Sequence, residues 1–268
     1  MPLSICATPI GNLEDVTLRV LHELAEADLV LCEDTRRTRI LLERHGIKAR
    51  LKSYHEHNES ERTAELLPRL KTGERVALTS DAGLPGVSDP GARLISAALE
   101  AGVPVTVLPG ASAVETALVA SGLVAERYQF VGYLPRGTRA LEALWAELER
   151  WPHAVVAFES PRRLPASLAS LAASLPERPV AVCRELTKRF EEVIRGTAAE
   201  VAAQVQEPPK GEITLVLGAF EAKAGGGEED ALAALAELVE AGAGRKQAAD
   251  VVARLTGQSR NRLYQASL

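Results

Sequence analysis

Residues 80–91 combine two aspartates with glycines and prolines in a spacing that suits ligand binding. The segment reads S-D-A-G-L-P-G-V-S-D-P-G and directly follows the apolar run 76–79. Glycine lets a ligand approach the main chain closely and proline fixes φ, so this mixture favours a rigid loop. Ligands of open α/β sheets lie outside the carboxyl ends of the strands, where this loop falls. We therefore predict a binding loop, with a long connecting turn as the alternative.

Two further turns of similar composition follow apolar runs in the first half of the chain. The run 3–7 leads into T-P-I-G-N at 8–12, and the run 103–108 leads into P-G-A-S-A at 109–113. The alternation of strand, helix and strand at the start of the chain indicates a parallel βαβ unit. Three loops that could hold a ligand therefore fall within one domain.

Charged residues also gather directly after apolar runs. The clusters are E-D-T-R-R at 33–37, E-S-P-R-R at 159–163 and R-E-L-T-K at 184–188. Helix capping by Asp34 or Thr35 explains part of the first cluster. An ordinary solvated turn is the alternative for each cluster, but their repetition at strand ends favours a shared function.

Composition and charge exclude several classes of protein. The 268 residues are 46% hydrophobic and 25% charged, which is typical of a folded globular protein. No apolar run approaches the ~20 residues that span a bilayer, and the first residues lack a secretion signal. We therefore expect a cytoplasmic protein with no membrane partner. The net charge of −5 argues against nucleic-acid binding by the whole surface, so such binding must be local.

Neither a metal site nor a standard nucleotide site is indicated. Cys6, Cys32 and Cys183 are too scattered for a disulfide framework, so we expect three free thiols. His55 and His57 have no third ligand at zinc spacing, and no metal is predicted. The signatures of P-loop, dinucleotide-binding, α/β-hydrolase and zinc-protease sites are absent. The pattern favours a cleft between two α/β lobes that holds a small cofactor through backbone atoms.

The last part of the chain changes composition. Residues 221–230 are acidic and contain three consecutive glycines, which predicts a flexible linker. Helical patterns over 247–255 and 260–266 flank a turn that contains Gly257, and this is helix-turn-helix spacing. The tail beyond residue 243 carries one acidic residue, Asp250, and five basic residues: Arg245, Lys246, Arg254, Arg260 and Arg262. Contact with nucleic acid and packing on the main body are the two interpretations.

These patterns predict an α/β protein with two α/β domains, a cofactor cleft between them and a small C-terminal helix-turn-helix. We place the first domain, with the cofactor loops, at 1–122. The second, at 123–220, is expected to repeat the rhythm of strand, turn and helix. The linker and tail occupy 221–268.

Eight motifs occur in one order along the chain: A-T-P-I-G-N, C-E-D-T-R, S-Y-H-E-H-N-E, S-D-A-G-x-P, S-D-P-G, P-G-A-S-A, F-E-S-P-R-R and R-E-L-T-K. By these motifs the chain resembles the ribosomal RNA small subunit methyltransferase I family of the tetrapyrrole methylase superfamily. The resemblance spans residues 3–217 and extends into the tail. It implies a cytoplasmic homodimer of the tetrapyrrole methylase fold that binds S-adenosylmethionine between its domains. It also implies methylation of the 2′-hydroxyl of a cytidine in the decoding region of 16S ribosomal RNA, either naked or in the assembled small subunit.

The same resemblance implies which residues hold the cofactor. They lie in the three loops of the first domain and in two turns of the second. They are Pro9, Asp81, Ala82, Gly83, Val87, Ser112, Ala113, Leu186, Gly211 and Glu212. Family members often carry threonine where this chain has Leu84, so contacts there are expected through the backbone.

A general base, or a cation that stabilises the developing alkoxide, can raise the rate of methyl transfer to a ribose hydroxyl by roughly 10²–10⁴-fold. We hypothesise that this group is among the charged residues at strand ends that face the cleft: Glu33, Asp34, Glu159, Glu185 and Lys188. Guanidinium groups bind phosphate through paired hydrogen bonds. The candidate RNA contacts are Arg36, Arg37, Arg162, Arg163 and Arg184, with surface solubility as the alternative role.

Two other functions stay open. One is methylation of a corrin-pathway tetrapyrrole, and the other is a non-catalytic role in RNA binding or ribosome assembly on the same fold. The arginines and the helical tail favour RNA over a tetrapyrrole. Binding of S-adenosylmethionine distinguishes both enzymes from the non-catalytic protein.

Overall fold

The first half of the chain forms a five-stranded parallel sheet. The computed structural model describes residues 2–220 and 228–267. The strands are β1 (Leu3–Cys6), β2 (Leu29–Cys32), β3 (Leu51–Ser53), β4 (Val76–Thr79) and β5 (Val105–Leu108), in the order β3-β2-β4-β1-β5. Between them lie a 3-10 turn (Leu13–Asp15) and the helices α1 (Leu18–Glu26), α2 (Thr35–Arg44), α3 (Glu59–Lys71) and α4 (Ala92–Glu100). The predicted βαβ unit is confirmed, with β4 between β1 and β2.

Helices cover both faces of this sheet, which explains its continuous apolar strands. Strands β1, β2 and β4 are buried along their whole length. Leu3, Leu29 and Leu78 pack towards α3 and α4, whereas alternate residues pack towards α1. Because β4, β1 and β5 are adjacent and parallel, the loops that follow them emerge side by side at one edge of the sheet.

The second half forms a mixed sheet in the order β6-β7-β10-β8-β9. Its elements are α5 (Ala113–Ser121), β6 (Tyr128–Tyr133), α6 (Thr138–Glu149), β7 (Ala154–Glu159), α7 (Leu164–Ser174), β8 (Pro179–Arg184), β9 (Glu192–Thr197), α8 (Ala198–Gln204) and β10 (Ile213–Leu217). Only β6 and β7 pair in parallel, since β10 is antiparallel to both β7 and β8. The expected repeat of strand, turn and helix therefore ends at β8, which forms a hairpin with β9.

Helix α5 connects the two sheets. It precedes residue 122, yet Val114, Ala117 and Leu118 pack with Val156 and Val216 of the second sheet. The domain limits at 122 and 220 stay a prediction, and α5 belongs by its packing to the second domain.

Three helices form the tail: α9 (Glu228–Glu240), α10 (Arg245–Thr256) and α11 (Arg260–Ala266). They pack around Ala231, Leu235, Ala248 and Leu263. The sequence predicted α10 and α11 but not α9, because the predicted linker at 221–230 obscured its start. Most of that linker, 221–227, lies outside the described residues, and its last three residues begin α9.

The predicted fold class is confirmed by these two α/β domains and the helical tail. The three cysteines are free thiols in buried positions, as expected. Across residues 2–220 and 228–267, no helix combines the length and the apolar character needed to cross a membrane.

Candidate active site

A cavity of about 720 Å³ lies between the two domains. Its first-domain wall comes from the loops after β1, β2, β4 and β5. Its second-domain wall comes from β6, β7 and the turns that follow β8 and precede β10. This volume falls within the range of about 300–1,000 Å³ that is typical of ligand sites. A second cavity of about 270 Å³ adjoins it and shares Ile10, Arg37, Asp81, Ala82 and Glu212.

The three loops predicted from the sequence are held together by backbone contacts. The amide of Thr8 donates to the carbonyl of Gly83 at 2.8 Å, and the amide of Gly83 donates back at 3.0 Å. Gly83 adopts φ 76°, a conformation that favours glycine. Gly110 packs on the end of β1, since a Cβ there would lie 2.9 Å from the Cβ of Ala7. The loops at 8–12, 80–91 and 109–113 thus form one wall.

The far end of the 80–91 loop is anchored from beneath. The Gly91 amide donates to Glu59 Oε1 at 2.9 Å, and the Tyr54 hydroxyl donates to the same oxygen at 3.1 Å. Tyr54 is buried and its hydroxyl also contacts Thr63 at 3.1 Å. Through Tyr54 and Glu59, the motif S-Y-H-E-H-N-E therefore supports the loop at 80–91.

Beside the cavity, the loop at 8–12 of the first domain contacts the loop at 185–188 of the second domain, and we call this pair of loops the clasp. Thr187 Oγ1 accepts a hydrogen bond from the Asn12 amide at 3.0 Å. Gly11 lies against this loop so closely that a Cβ would sit 2.8 Å from Thr187 Oγ1 and 2.5 Å from Lys188 Cγ. Glu185 and Thr187 adopt φ 51° and 65°, which is unusual for side chains of this size.

The residues implied to hold the cofactor come together in the structure. All of them except Pro9 line the larger cavity, and Pro9 lines the smaller one. Their individual roles stay proposals.

The five catalytic candidates fall into different environments. Glu159 lies in the cavity wall, but its side chain is 0% exposed. Its Oε1 accepts from Arg163 Nε at 2.8 Å and from the Ser160 amide at 2.5 Å, while Oε2 accepts from the Ser167 hydroxyl at 2.5 Å. Both oxygens thus accept hydrogen bonds from groups of the same domain, so we expect this carboxylate to stabilise the fold.

Asp34 and Glu185 are also bonded within the chain. Asp34 caps α2 through the Arg36 amide at 2.8 Å and pairs with the Arg36 guanidinium at 2.7 Å, which lowers its pKa to about 2. Lys188 donates to Glu185 at 2.8 Å and to Glu212 at 2.9 Å. The Lys188 hydrogen bond and the Glu212 amide lower the pKa of Glu185. Both acids are therefore weak proton acceptors.

Glu33 differs from the other candidates. It lines the larger cavity, and its carboxylate makes no hydrogen bond within the described part of the chain. Burial raises the pKa of Glu33, and the negative charge of Asp81 adds to the shift. Of the predicted acids, it has the environment best suited to accept a proton.

The five candidate arginines are dispersed. Arg37 lines both cavities and pairs with Asp81 at 3.4 Å. Arg36 is bound to Asp34, and Arg162 is exposed. Arg184 Nε donates to Glu192 at 3.0 Å. Arg163 is bound to Glu159 and donates to the carbonyl of Leu134 at 2.7 Å, so its guanidinium is committed to the fold.

Sequence reasoning missed two acids in the cavity wall. Asp89 stands in the S-D-P-G motif, and burial raises the pKa of its carboxyl to about 6, with a further contribution from the charge of Glu33. Glu115 accepts hydrogen bonds from Ser112 and from Tyr128, the latter at 2.7 Å. The motifs marked their positions, but no sequence signal showed their burial.

The lining of the cavity fits the cofactor that the motifs imply. Apolar surface from Phe130, Phe158 and Leu186 suits an adenine ring, and the carboxylates of Glu33 and Asp89 suit the positive charge of a sulfonium or an ammonium group. In the described residues there is no group of three or more metal-ligating side chains.

Residues 2–202 match the family model described as Tetrapyrrole (Corrin/Porphyrin) Methylases, and residues 225–268 match the RsmI C-terminal HTH domain. The chain is 46% identical to Ribosomal RNA small subunit methyltransferase I of Mesorhizobium japonicum, covering 99% of this chain and 91% of the relative. The protein of the same name from Synechocystis is 42% identical, covering 99% of this chain and 97% of the relative.

Solved structures show the same fold. The methyltransferase CobJ has a TM-score of 0.62 at 20% identity, covering 81% of this chain and 93% of that chain. Uroporphyrin-III C-methyl transferase from Thermus thermophilus, complexed with S-adenyl homocysteine, has a TM-score of 0.58 at 20% identity. The match covers 81% of this chain and 96% of that chain. The chain belongs to the tetrapyrrole methylase family and, within it, to the ribosomal RNA small subunit methyltransferase I family.

Proposed function

We propose that this chain transfers a methyl group from S-adenosylmethionine to the 2′-hydroxyl of a cytidine in the decoding region of 16S ribosomal RNA. The observation that carries the proposal is the inter-domain cavity, which unites the implied cofactor loops in a chain 46% identical to a protein named for ribosomal RNA methylation. The cofactor supplies an activated methyl group, and the protein's contribution is position and charge.

In this proposal each domain contacts a different part of the cofactor. The backbone of the loops at 80–91 and 109–113 borders the first-domain side, and Leu186 with Gly211 borders the other. The contact of Gly11 with the 186–188 loop holds the two sides at a fixed distance. Such preorganisation supports alignment of a hydroxyl with a methyl group, which is worth up to about 7–11 kcal/mol of the barrier.

The outer face of α2 is the proposed RNA surface of the first domain. It exposes Arg36, Arg37, Arg39 and Arg44 around Ile40, whose surface is 58% exposed. Single-stranded RNA is bound through its phosphates by arginine and through its bases by apolar or aromatic surface. Because Arg37 also lines both cavities, this face leads directly into the site. The exposed Arg162 adds a cation on the second domain.

We also propose that the chain forms a homodimer in the cytoplasm, where ribosomal subunits are made. The edge strand β5 leaves Val107 51% exposed, and Val119 and Val124 are 69% and 64% exposed. Apolar side chains exposed in this way are suited to a protein interface. Light scattering at micromolar concentration tests the dimer: a monomeric mass would contradict it.

The function is tested with small ribosomal subunits that lack the modification. The purified chain is incubated with them and with methyl-labelled S-adenosylmethionine, and the rRNA is digested for mass spectrometry. The expected product is one 2′-O-methylcytidine within the decoding region. A methylated base, a label at another region, or transfer to a tetrapyrrole instead would refute the proposal.

A further inference from the structure

We propose that Phe190 and Arg189 form a stacking platform for an unpaired RNA base next to the target cytidine. This inference rests on the proposed function, because it places an RNA strand at the cavity. Neither residue was selected from the sequence, and neither is among the residues that line the two cavities described above.

The platform pairs an open aromatic ring with a cation. Phe190 is 64% exposed, but single exposed apolar residues are common on protein surfaces, so its surroundings decide what it does. The guanidinium carbon of Arg189 lies 5.5 Å from the centre of the ring. Within the described part of the chain, this guanidinium has no carboxylate within 4.0 Å. Proteins that bind single-stranded RNA stack its bases on aromatic rings and on arginine planes of this kind.

Two consecutive turns between β8 and β9 hold the platform. The Lys188 amide donates to the carbonyl of Glu185 at 3.0 Å, and the Glu191 amide donates to the carbonyl of Lys188 at 3.1 Å. Arg189 and Phe190 are therefore the two central residues of the second turn. Both side chains thus project from the tip of the hairpin instead of packing along its strands.

Side-chain contacts fix these turns to the clasp. The Thr187 amide donates to Glu191 Oε2 at 2.6 Å, and Thr187 Oγ1 accepts from the Asn12 amide at 3.0 Å. Glu185 and Thr187 keep φ 51° and 65°, conformations that persist where surrounding contacts hold them. The platform is therefore preorganised, which reduces the entropy lost when a base stacks on it.

The platform stands at the edge of the smaller cavity. Lys188, two residues before Phe190, lines that cavity, and two residues span at most about 7 Å. Arg37 and Ile40 of α2 line the same cavity from the first domain. An RNA strand that is held by the basic face of α2 and crosses the cavity therefore meets the platform on the other side.

The charges around the platform favour a base over a phosphate. Glu191 and Glu192 directly follow Phe190 and are exposed, and Glu212 lies beside Lys188 at 2.9 Å. These carboxylates repel a phosphate, whereas a base stacks on a ring without an excess of positive charge. We therefore assign phosphate contacts to α2 and one base contact to the platform.

The test compares Phe190→Ala, Phe190→Leu and Phe190→Trp with the wild type in single-turnover methyl transfer to unmodified small subunits. Phe190→Ala should raise the subunit concentration that gives half the maximal rate by roughly 5–150-fold, the loss expected for one base–aromatic stack. Phe190→Leu keeps apolar surface but has no ring, so it should lose nearly as much. Phe190→Trp should stay within about threefold of the wild type, because it keeps an aromatic face.

Two readouts separate stacking from other roles. The maximal rate of all three variants should stay within about threefold of the wild type, because the platform touches no reacting atom. In filter binding, Phe190→Ala should weaken binding to small subunits without changing the slope of log affinity against log salt, since a neutral ring releases no counterions. Leu99→Ala, whose leucine is 59% exposed on α4, is the control matched in exposure and should bind as the wild type does.

A further probe does not depend on methyl transfer. It is a pair of single-stranded oligoribonucleotides that carry the fluorescent base 2-aminopurine directly before or directly after a central cytidine. Stacking on an aromatic ring quenches this fluorescence. The wild type and Phe190→Trp should quench at least one of the two probes, and Phe190→Ala should not.

The outcomes separate the two proposals. If the wild type methylates the subunits and Phe190→Ala has the same half-maximal concentration, the platform does not bind RNA. If Phe190→Ala halves the mass measured by light scattering, the ring is a contact between two copies of the chain and the inference is wrong. If the wild type transfers no methyl group to rRNA, the proposed function fails, while the quenching still decides the platform: its loss in Phe190→Ala supports the inference, and equal or absent quenching overturns it.

Discussion

Two groups of acids follow strands at the same cavity but are built for different tasks. Glu159, in the second domain, is fully buried and receives hydrogen bonds from a guanidinium, an amide and a hydroxyl. Asp89 and Glu33, in the first domain, line the open cavity without an ion-pair partner in the described residues. A carboxylate surrounded by donors stabilises a fold, whereas one that lines a cavity without an ion-pair partner can meet a positively charged group of a ligand.

The difference reflects what each domain contributes. The second domain holds Glu159 and Glu185 in ion pairs at its strand ends. The first domain pairs Asp34 and Asp81 in the same way but leaves Glu33 and Asp89 without an ion-pair partner in the described residues. Substitutions at the buried, bonded groups and at the groups that face the cavity test this distinction.

The largest loss of stability is expected for Glu159→Ala. The change leaves the Arg163 guanidinium and the Ser167 hydroxyl without their acceptor in a buried place, which costs about 3–5 kcal/mol of unfolding free energy. Urea denaturation followed by circular dichroism measures the loss. Glu149→Ala, at the exposed end of α6, is the control and should change stability by less than about 0.5 kcal/mol. An equal midpoint for both variants would show that the Glu159 network is not structural.

Arg178→Met tests a second buried ion in the same domain. Arg178 is 0% exposed, and its guanidinium donates to backbone carbonyls of Leu148, Trp151, His153 and Gly218 instead of to an acid. Burial lowers its pKa to about 10. Its removal leaves carbonyls unsatisfied and should cost roughly 3 kcal/mol in the same denaturation experiment. A stability within 0.5 kcal/mol of the wild type would contradict this prediction.

A smaller effect is expected at the clasp between the domains. Gly11→Ala places a Cβ against Lys188 Cγ and the Leu186 carbonyl, so one loop must move, at a cost of about 1–3 kcal/mol. Weaker binding of S-adenosylmethionine in calorimetry should accompany the loss. The control is Gly137→Ala, where a Cβ meets nothing within 4 Å and φ is −86°. Equal affinities of the two variants for S-adenosylmethionine would show that the clasp does not control the shape of the cavity.

The smallest effect is expected at the RNA surface. Arg37→Gln should weaken binding to unmodified small subunits modestly and reduce the slope of log affinity against log salt by about one. Filter binding between 50 and 300 mM salt measures the slope. Arg150→Gln, exposed after α6 and away from the cavity lining, should leave it unchanged. A wild-type slope for Arg37→Gln would remove this arginine from the RNA surface.

The sequence predicted the first domain well because its signals are local. Continuous apolar runs marked β1, β2 and β4, and glycine with proline marked the loops that follow them. The three loops meet because their strands are neighbours in the sheet, and no single segment of the chain encodes that order.

The second domain and the roles of its acids were harder to predict. Strand β9 reads E-V-I-R-G-T, which lacks an apolar run, and its pairing with β8 depends on tertiary contacts. Glu159 and Asp89 both follow apolar runs or turns in motifs of similar appearance. What separates them is the number of donors around each carboxylate. The donors to Glu159 are Ser160, Arg163 and Ser167, and no sequence signal showed that these groups turn towards it.

One paired measurement tests the division between structural and cavity-facing acids most directly: unfolding free energy and single-turnover rate for Glu159→Gln and Asp89→Asn. The account predicts that Glu159→Gln loses stability but keeps its rate per folded molecule. It predicts that Asp89→Asn is at least as stable as the wild type at pH 7 and loses rate, because the carboxylate that suits the positive charge of the cofactor is gone. The reverse pattern, a slow but stable Glu159→Gln beside a fast Asp89→Asn, would contradict it.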